Sequence, residues 1–263
     1  MLVWTVANQK GGVGKTTSSV TLGSIAAVTG QRVLLIDLDP HGSMSSYFQR
    51  NPDQPSSSSF NLFETQQTLT LAALMQIIQT TDFDRLHLIP AAVTLATLER
   101  QAIGEGLGLA LKRALKPLVE HYDLVVIDCP PQLGILLVNA LAACDHLIIP
   151  VQTEFLAIKG LDRMLNTMSM LGKSRGEGIP HTIVPVMYDR RTQASVVSLR
   201  TIRNDYGAQV WPGKIPIDTR LRDASKAGVP PNILSPEARA VLAYQSLYKF
   251  IAQQIDDQRD YAS

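Results

Sequence analysis

The sequence predicts an α/β fold: a mainly parallel, twisted sheet of about seven to eight strands with helices on both faces. Three observations predict it. Short apolar, β-prone runs alternate with helix-spaced segments along the 263 residues. A glycine-rich turn joins the first apolar run directly to the first helical segment. Two later runs end in an acid, at Asp37 and Asp128. Such alternation builds right-handed βαβ units, whose ligands sit beyond the carboxyl ends of the strands. The turns after these three strands are therefore expected to carry the function.

In chain order, residues 2–7 (LVWTVA) read as a buried strand, 16–30 as a helix ending near Gly30, and 32–36 (RVLLI) as a second buried strand. Residues 50–61 are rich in Pro, Ser and Asn and read as a loop, because alternation resumes after them. Residues 69–80 look helical and 86–90 (LHLIP) extended. Residues 107–122 have helical spacing, with a kink or break expected at Pro117. Residues 123–128 and 146–151 read as buried strands, with Cys144 at a helix–strand junction. Helices are expected at 157–172, 192–206 and roughly 236–255. Residues 181–188 read as a strand, and 209–216 contain a short one. No internal repeat is visible, and 1–263 read as a single domain.

Composition narrows the function. Hydrophobic residues make up 45% and charged residues 18% of the chain, as in a folded globular protein. With 24 basic and 23 acidic side chains the net charge is +1, so nucleic acid or anionic membrane must be met by a local patch. The two cysteines, Cys129 and Cys144, lie in no CxxC or Cys/His cluster and read as reduced, buried thiols. Met1 leads straight into an apolar strand, not a signal peptide, and no apolar stretch is long enough to span a bilayer. A cytoplasmic protein is expected.

The turn after the first strand reads Gln9-Lys10-Gly11-Gly12-Val13-Gly14-Lys15-Thr16-Thr17. Its glycines let the backbone curl and aim successive N–H groups at one anion, and the helix N-terminus adds its dipole. Residues 10–17 are thus expected to bind phosphate, Lys15 to reach the β- and γ-phosphates, and the Thr16 hydroxyl to ligate Mg²⁺. The run 124–127 ending in Asp128 is a further Mg²⁺ candidate of the Walker B kind.

The loop departs from GxxxxGK[ST]: Gln9 holds the first Gly position and an extra lysine, Lys10, precedes two glycines. In this it resembles the deviant Walker A family of ParA, MinD and nitrogenase iron proteins, P-loop NTPases of the SIMIBI type. The resemblance implies ATP and Mg²⁺ as cofactors, a homodimer when ATP is bound, and slow hydrolysis to ADP and phosphate. It also implies that Lys10 crosses the dimer interface to the partner's nucleotide, joining Lys15 and Asp39 as catalytic residues. Asp37-Leu38-Asp39-Pro40-His41 resembles the family's DxDPQ segment. By that match Asp39 orients the attacking water and Asp37 supports the Mg²⁺ shell with Thr16 and Asp128, while His41 replaces Gln. Asp128-Cys129-Pro130-Pro131 matches the DxPP switch. The segments 187–192 and 215–224 resemble those framing the adenine, which implies contacts from Met187, Asp189 and Pro216. Ile217 stands where the family has Arg, and Asp223-Ala224-Ser225-Lys226 replaces EAPS.

Within the family, neither cysteine has the glycine-rich surroundings of a nitrogenase cluster ligand. The C-terminal segment carries Asp256, Asp257 and Asp260, so a basic membrane-binding helix of the MinD kind is not expected. Arg190, Arg191, Arg200, Arg203, Arg220 and Arg222, with Lys214 and Lys226, gather between 190 and 226. They read either as a non-specific DNA or partner surface or as a solvated basic face. DLDPHGSMSSYF, TLATLERQ, PVQTEFLAIKGL, DRRTQAS and DTRLRDASKAGV resemble the ParA-like ParC proteins of chemotaxis operons. That likeness implies an adaptor and a polar chemoreceptor array as cargo. The alternatives are a plasmid or chromosome partition ATPase on the nucleoid and a dethiobiotin-synthetase-like ligase.

Overall fold

The computed structural model describes residues 1–54, 57–64, 69–100, 107–175 and 178–262. Gln101, the last residue of the TLATLERQ segment, lies outside them. The described strands are β1 (Leu2–Val6), β2 (Val33–Asp37), β3 (Gln79–Thr80), β4 (Leu86–Ile89), β5 (Leu124–Asp128), β6 (His146–Gln152) and β7 (His181–Val186). They form one seven-stranded sheet in the order β3-β4-β2-β5-β1-β6-β7. Every pairing is parallel except β3 with β4.

The helices in chain order are α1 (Lys15–Val28), α2 (Ser43–Tyr47), α3 (Leu71–Ile77), α4 (Leu95–Glu99), α5 (Ala110–Leu115) and α6 (Ile135–Ala143). They continue with α7 (Phe155–Arg175), α8 (Gln193–Tyr206), α9 (Arg220–Ala227), α10 (Pro231–Leu234) and α11 (Arg239–Ala262). Side chains alternate across the sheet, so each strand feeds two cores. Val3, Leu34, Ile36, Val125 and Ile127 pack with Leu111, Leu136 and Leu161 of α5, α6 and α7. Trp4, Val6, Leu35 and Val126 pack with Leu22 of α1 and Leu247 and Ile251 of α11. Burying each such Leu or Ile side chain contributes about 1.5–3 kcal/mol. Among the described residues no helix is long and apolar enough to cross a membrane.

Two elements differ from expectation. The helix expected over 69–80 ends at Ile77, and Gln79–Thr80 turns extended to pair antiparallel with β4 at the sheet edge. The segment 209–216 makes only isolated bridges, Val210 with Ile183 and Pro216 with Tyr188. Pro212 and Pro216 lack the N–H that a ladder needs. Helix α6 ends at the helix–strand junction expected at Cys144, and its period is faint because nearly every position of it is buried. As expected, the helical stretch breaks at Pro117, inside a 3₁₀ turn at Lys116–Leu118.

Register sets the site. Asp37 of β2 pairs directly with Asp128 of β5, and Val6 of β1 with Asp128 on the other side. From this edge α1 leaves β1 on one face of the sheet while α6 follows β5 on the other. The crevice between the two departures is where α/β sheets receive ligands.

Candidate functional site

The loop between β1 and α1 is shaped by two left-handed glycines, Gly12 (φ 75°) and Gly14 (φ 79°), a conformation that side chains resist. Buried Asn8 ties the loop down. Its amide donates to the Pro150 carbonyl at 2.8 Å, and its Oδ1 accepts the Lys10 N–H at 2.9 Å. Lys15, only 7% exposed, opens α1 and donates to the Lys10 carbonyl at 3.4 Å. The Lys15 ammonium therefore bends over a concave loop of free N–H groups, an arrangement that can receive an anion.

Beneath it lie two acids. Thr16 Oγ1 donates to Asp128 Oδ2 at 2.6 Å, and Ser19 Oγ donates to Asp128 Oδ1 at 3.2 Å. Asp37 Oδ2 accepts both the N–H and the hydroxyl of Ser45, at 2.8 and 2.7 Å. Burial holds both carboxyls above the usual carboxylate range, and for Asp128 the neighbouring Asp37 adds to it. Two adjacent buried acids and a hydroxyl form a hard-oxygen set suited to a divalent cation. Among the described residues no cluster of three or more His, Cys, Asp or Glu is built to hold a metal alone. The set thus fits Mg²⁺, which takes few protein ligands and completes its shell with phosphate and water.

Asp39 sits at the rim. Its N–H donates to Asp37 Oδ1 at 3.1 Å, and its Oδ1 accepts from His41. Lys10 turns toward the end of β6: its Nζ donates to Gln152 Oε1 at 2.9 Å and pairs with the Glu154 carboxylate. Gln152 also donates to the Gly12 carbonyl at 3.1 Å and to Met187 Sδ at 2.9 Å.

Next to the loop is a cavity of about 300 Å³ lined by Val13, Thr17, Met187, Pro216, Arg222 and Tyr244. Met187 holds φ 54°, a costly conformation for a side-chain-bearing residue. Asp189 lies outside this cavity, in an adjoining groove of about 730 Å³ with Arg190, Arg191, Lys214, Arg220 and Arg239. There Arg191 clasps Asp189 and Arg220 clasps Asp218, each at 2.8 Å. Arg200 and Arg203 lie on α8, where Arg203 binds the Pro212 and Gly213 carbonyls. Of the six arginines singled out in sequence, the groove gathers three; Arg222 faces the smaller cavity. Asn8, Ser19 and Arg239 complete these surroundings without having stood out in the sequence, while Ser45, Gln152, Glu154 and Lys214 stood there only inside resembling segments or the basic stretch. Their contacts within the site reach across 109–142 residues in several cases, which no local pattern encodes.

The chain matches the AAA domain family over residues 1–179. It is 34% identical over 249 residues to the sporulation initiation inhibitor protein Soj of Bacillus subtilis, covering 94% of this chain and 96% of that one. It is 32% identical to the chromosome-partitioning ATPase Soj of Treponema pallidum, covering 96% and 97%. Among solved structures, cobyrinic acid a,c-diamide synthase of Mycobacterium smegmatis with bound ADP and magnesium superposes with a TM-score of 0.81. It is 30% identical, covering 97% of this chain and 95% of that one.

Proposed function

The chain belongs to the Soj/ParA family of P-loop ATPases, and on that premise we propose that it is an ATP-driven, Mg²⁺-dependent dimerising switch that positions a large intracellular cargo. The observation that carries this reading is the meeting of Lys15, Thr16, Asp37, Asp39 and Asp128 at three neighbouring strand ends. Mg²⁺, when bound with ATP, would supply positive charge that offsets the charge developing on the transferred phosphoryl group. Thr16, Asp128 and Asp37 would hold the cation. The N–H groups of residues 11–17 cradle the phosphates, and Lys15 leaves the Lys10 carbonyl to reach them. Asp39 orients the attacking water. Lys10 exchanges Glu154 for the partner subunit's nucleotide, so its charge acts only in the closed dimer. Met187 and Pro216 flank the base, while Asp189 anchors Arg191 beside it.

The cargo we favour is a polar chemoreceptor array reached through an adaptor, because five segments of the chain resemble the chemotaxis branch of the family. A nucleoid-bound partition ATPase is the second reading, supported by the arginine- and lysine-lined groove. Size-exclusion with light scattering tests the switch: ATP is expected to convert monomer to dimer, and Lys15→Ala to remain monomeric with nucleotide binding lost. Normal ATP affinity in that variant would remove the loop from the mechanism. Imaging of the tagged protein then separates the readings. A polar focus lost in Lys15→Ala supports the array, and a nucleoid-wide haze supports partition.

A further inference from the structure

His41 stands where the related DxDPQ segment carries Gln, and its side chain is engaged. The His41 N–H donates to Asp39 Oδ1 at 3.0 Å, and ring Nδ1 lies 2.9 Å from the same oxygen. A carboxylate only accepts, so Nδ1 carries the proton and donates. Asp39 Oδ1 is thereby held twice. Asp39 Oδ2 accepts no hydrogen bond from any described residue, and the Asp39 side chain is 14% exposed against 74% for His41. The Asp39 backbone is pinned as well: its N–H reaches Asp37 Oδ1 and its carbonyl accepts the Gly42 N–H at 2.8 Å.

We infer that His41 is a positioning residue for hydrolysis, fixing Asp39 by Oδ1 so that Oδ2 alone faces the attacking water. This rests on the proposed role of Asp39. The physical reason is torsional. A carboxylate turns about a broad, roughly two-fold χ2, and either oxygen can face the water. Two donors on one oxygen remove that freedom. Misplacing a water-orienting group by about 1 Å can cost about 100-fold in rate. The ring is exposed and carries no core packing, so its removal leaves the fold intact. Glutamine at this position offers an amide N–H to the same oxygen through a longer, freer chain, and retains part of the effect.

The test compares wild type with His41→Ala, His41→Gln and Asp39→Ala in ATP-dependent dimerisation and steady-state ATP hydrolysis. His41→Ala is expected to lose about 10- to 100-fold in kcat with KM and dimerisation unchanged. His41→Gln is expected to recover most of that loss. Wild-type kcat in His41→Ala, beside a dead Asp39→Ala, overturns this inference and leaves Asp39 in place. Wild-type kcat in Asp39→Ala overturns both. A rise in KM or loss of dimer in His41→Ala, or a His41→Gln as slow as Ala, also overturns it, marking the histidine as part of the loop's structure only.

Discussion

The carboxylate of Glu99 lies directly against the α-carbon of Gly134: a Cβ built there overlaps Glu99 Oε2. Glu99 ends α4, and Gly134 immediately precedes α6, in the loop that follows Asp128. The Leu136 N–H at the start of α6 favours the charged form of the same carboxylate. Burial nonetheless holds the Glu99 carboxyl above its ordinary range, and among the described residues its Oε1 has no hydrogen-bond partner. Gly134→Ala is expected to push the carboxylate end of the flexible Glu99 side chain aside and to destabilise the protein by no more than about 1 kcal/mol, the low end of overpacking. Glu99→Ala in the same background should recover part of that loss, because residues in contact are not additive. Denaturant midpoints of the four proteins in the cycle check this; additive values would show that the two residues do not press on each other.

The Asp37–Asp128 pair makes stability depend on pH in a defined direction. Both carboxyls are raised above the usual carboxylate range, first by burial and, for Asp128, next by Asp37. The folded chain therefore keeps protons that the unfolded chain releases. Stability without Mg²⁺ is greatest while both groups stay protonated and falls as pH rises through their raised values. Asp123 and Asp189, each held down to about 2 by an arginine, stay ionised throughout and do not oppose this trend. The apoprotein should melt at a lower temperature at pH 8.5 than at pH 6, and Mg-ATP should close most of that gap. Asp128→Asn should flatten the dependence and weaken Mg-ATP binding; an unchanged pH slope in that variant would refute the assignment.

The phosphate loop and the acid-tipped strands were legible because each is a local string with a period of its own: a glycine run, then apolar residues ending in Asp. Apolar runs of this kind located six of the seven strands' carboxyl ends to within two residues. Of helix α6 only the end at Cys144 was legible, since burial of nearly every position erases helical contrast. Ser45 and Gln152 were not, being ordinary polar residues whose importance comes from what the fold sets beside them. Ser45 holds Asp37 from eight residues away, while Gln152 gathers Lys10 and Gly12 from the phosphate loop and Met187 from a second segment. His41 was visible only as a departure from a resembling segment, and its bond to Asp39 needed coordinates.

Lys10 has a measurable internal competitor. Its ion pair with Glu154 is solvent-accessible, with the two side chains 28% and 50% exposed. Such pairs contribute about 0–1 kcal/mol. If Lys10 must leave Glu154 to cross to a second subunit, Glu154→Gln should tighten ATP-dependent dimerisation, by no more than about fivefold. Lys10→Ala should bind ATP as a monomer and fail to form a hydrolytic dimer. Analytical ultracentrifugation with ATP reads both, and a fully active Lys10→Ala would refute the cross-subunit role.

The basic groove makes unequal use of its charges. Arg191 and Arg220 are each neutralised by a bidentate aspartate, and Lys214 sits 5.1 Å over the Tyr188 ring. Arg190 and Arg239 are exposed and, among the described residues, make no hydrogen bond or ion pair. A phosphate backbone would therefore meet Arg190, Arg239 and Lys214 first. If the platform is DNA, Arg190→Ala and Arg239→Ala should each weaken binding of the ATP form to unrelated duplexes alike. Each should also lower the slope of log K against log salt by about 1. Asp189→Asn should strengthen binding by releasing Arg191 from its clasp. Arg203→Ala should cost little, because that guanidinium is already spent on the Pro212 and Gly213 carbonyls. Fluorescence anisotropy with two unrelated duplexes at several salt concentrations decides it. Absence of binding by the ATP form at about 50 mM salt would remove DNA as the platform and leave the polar adaptor as the surface to find.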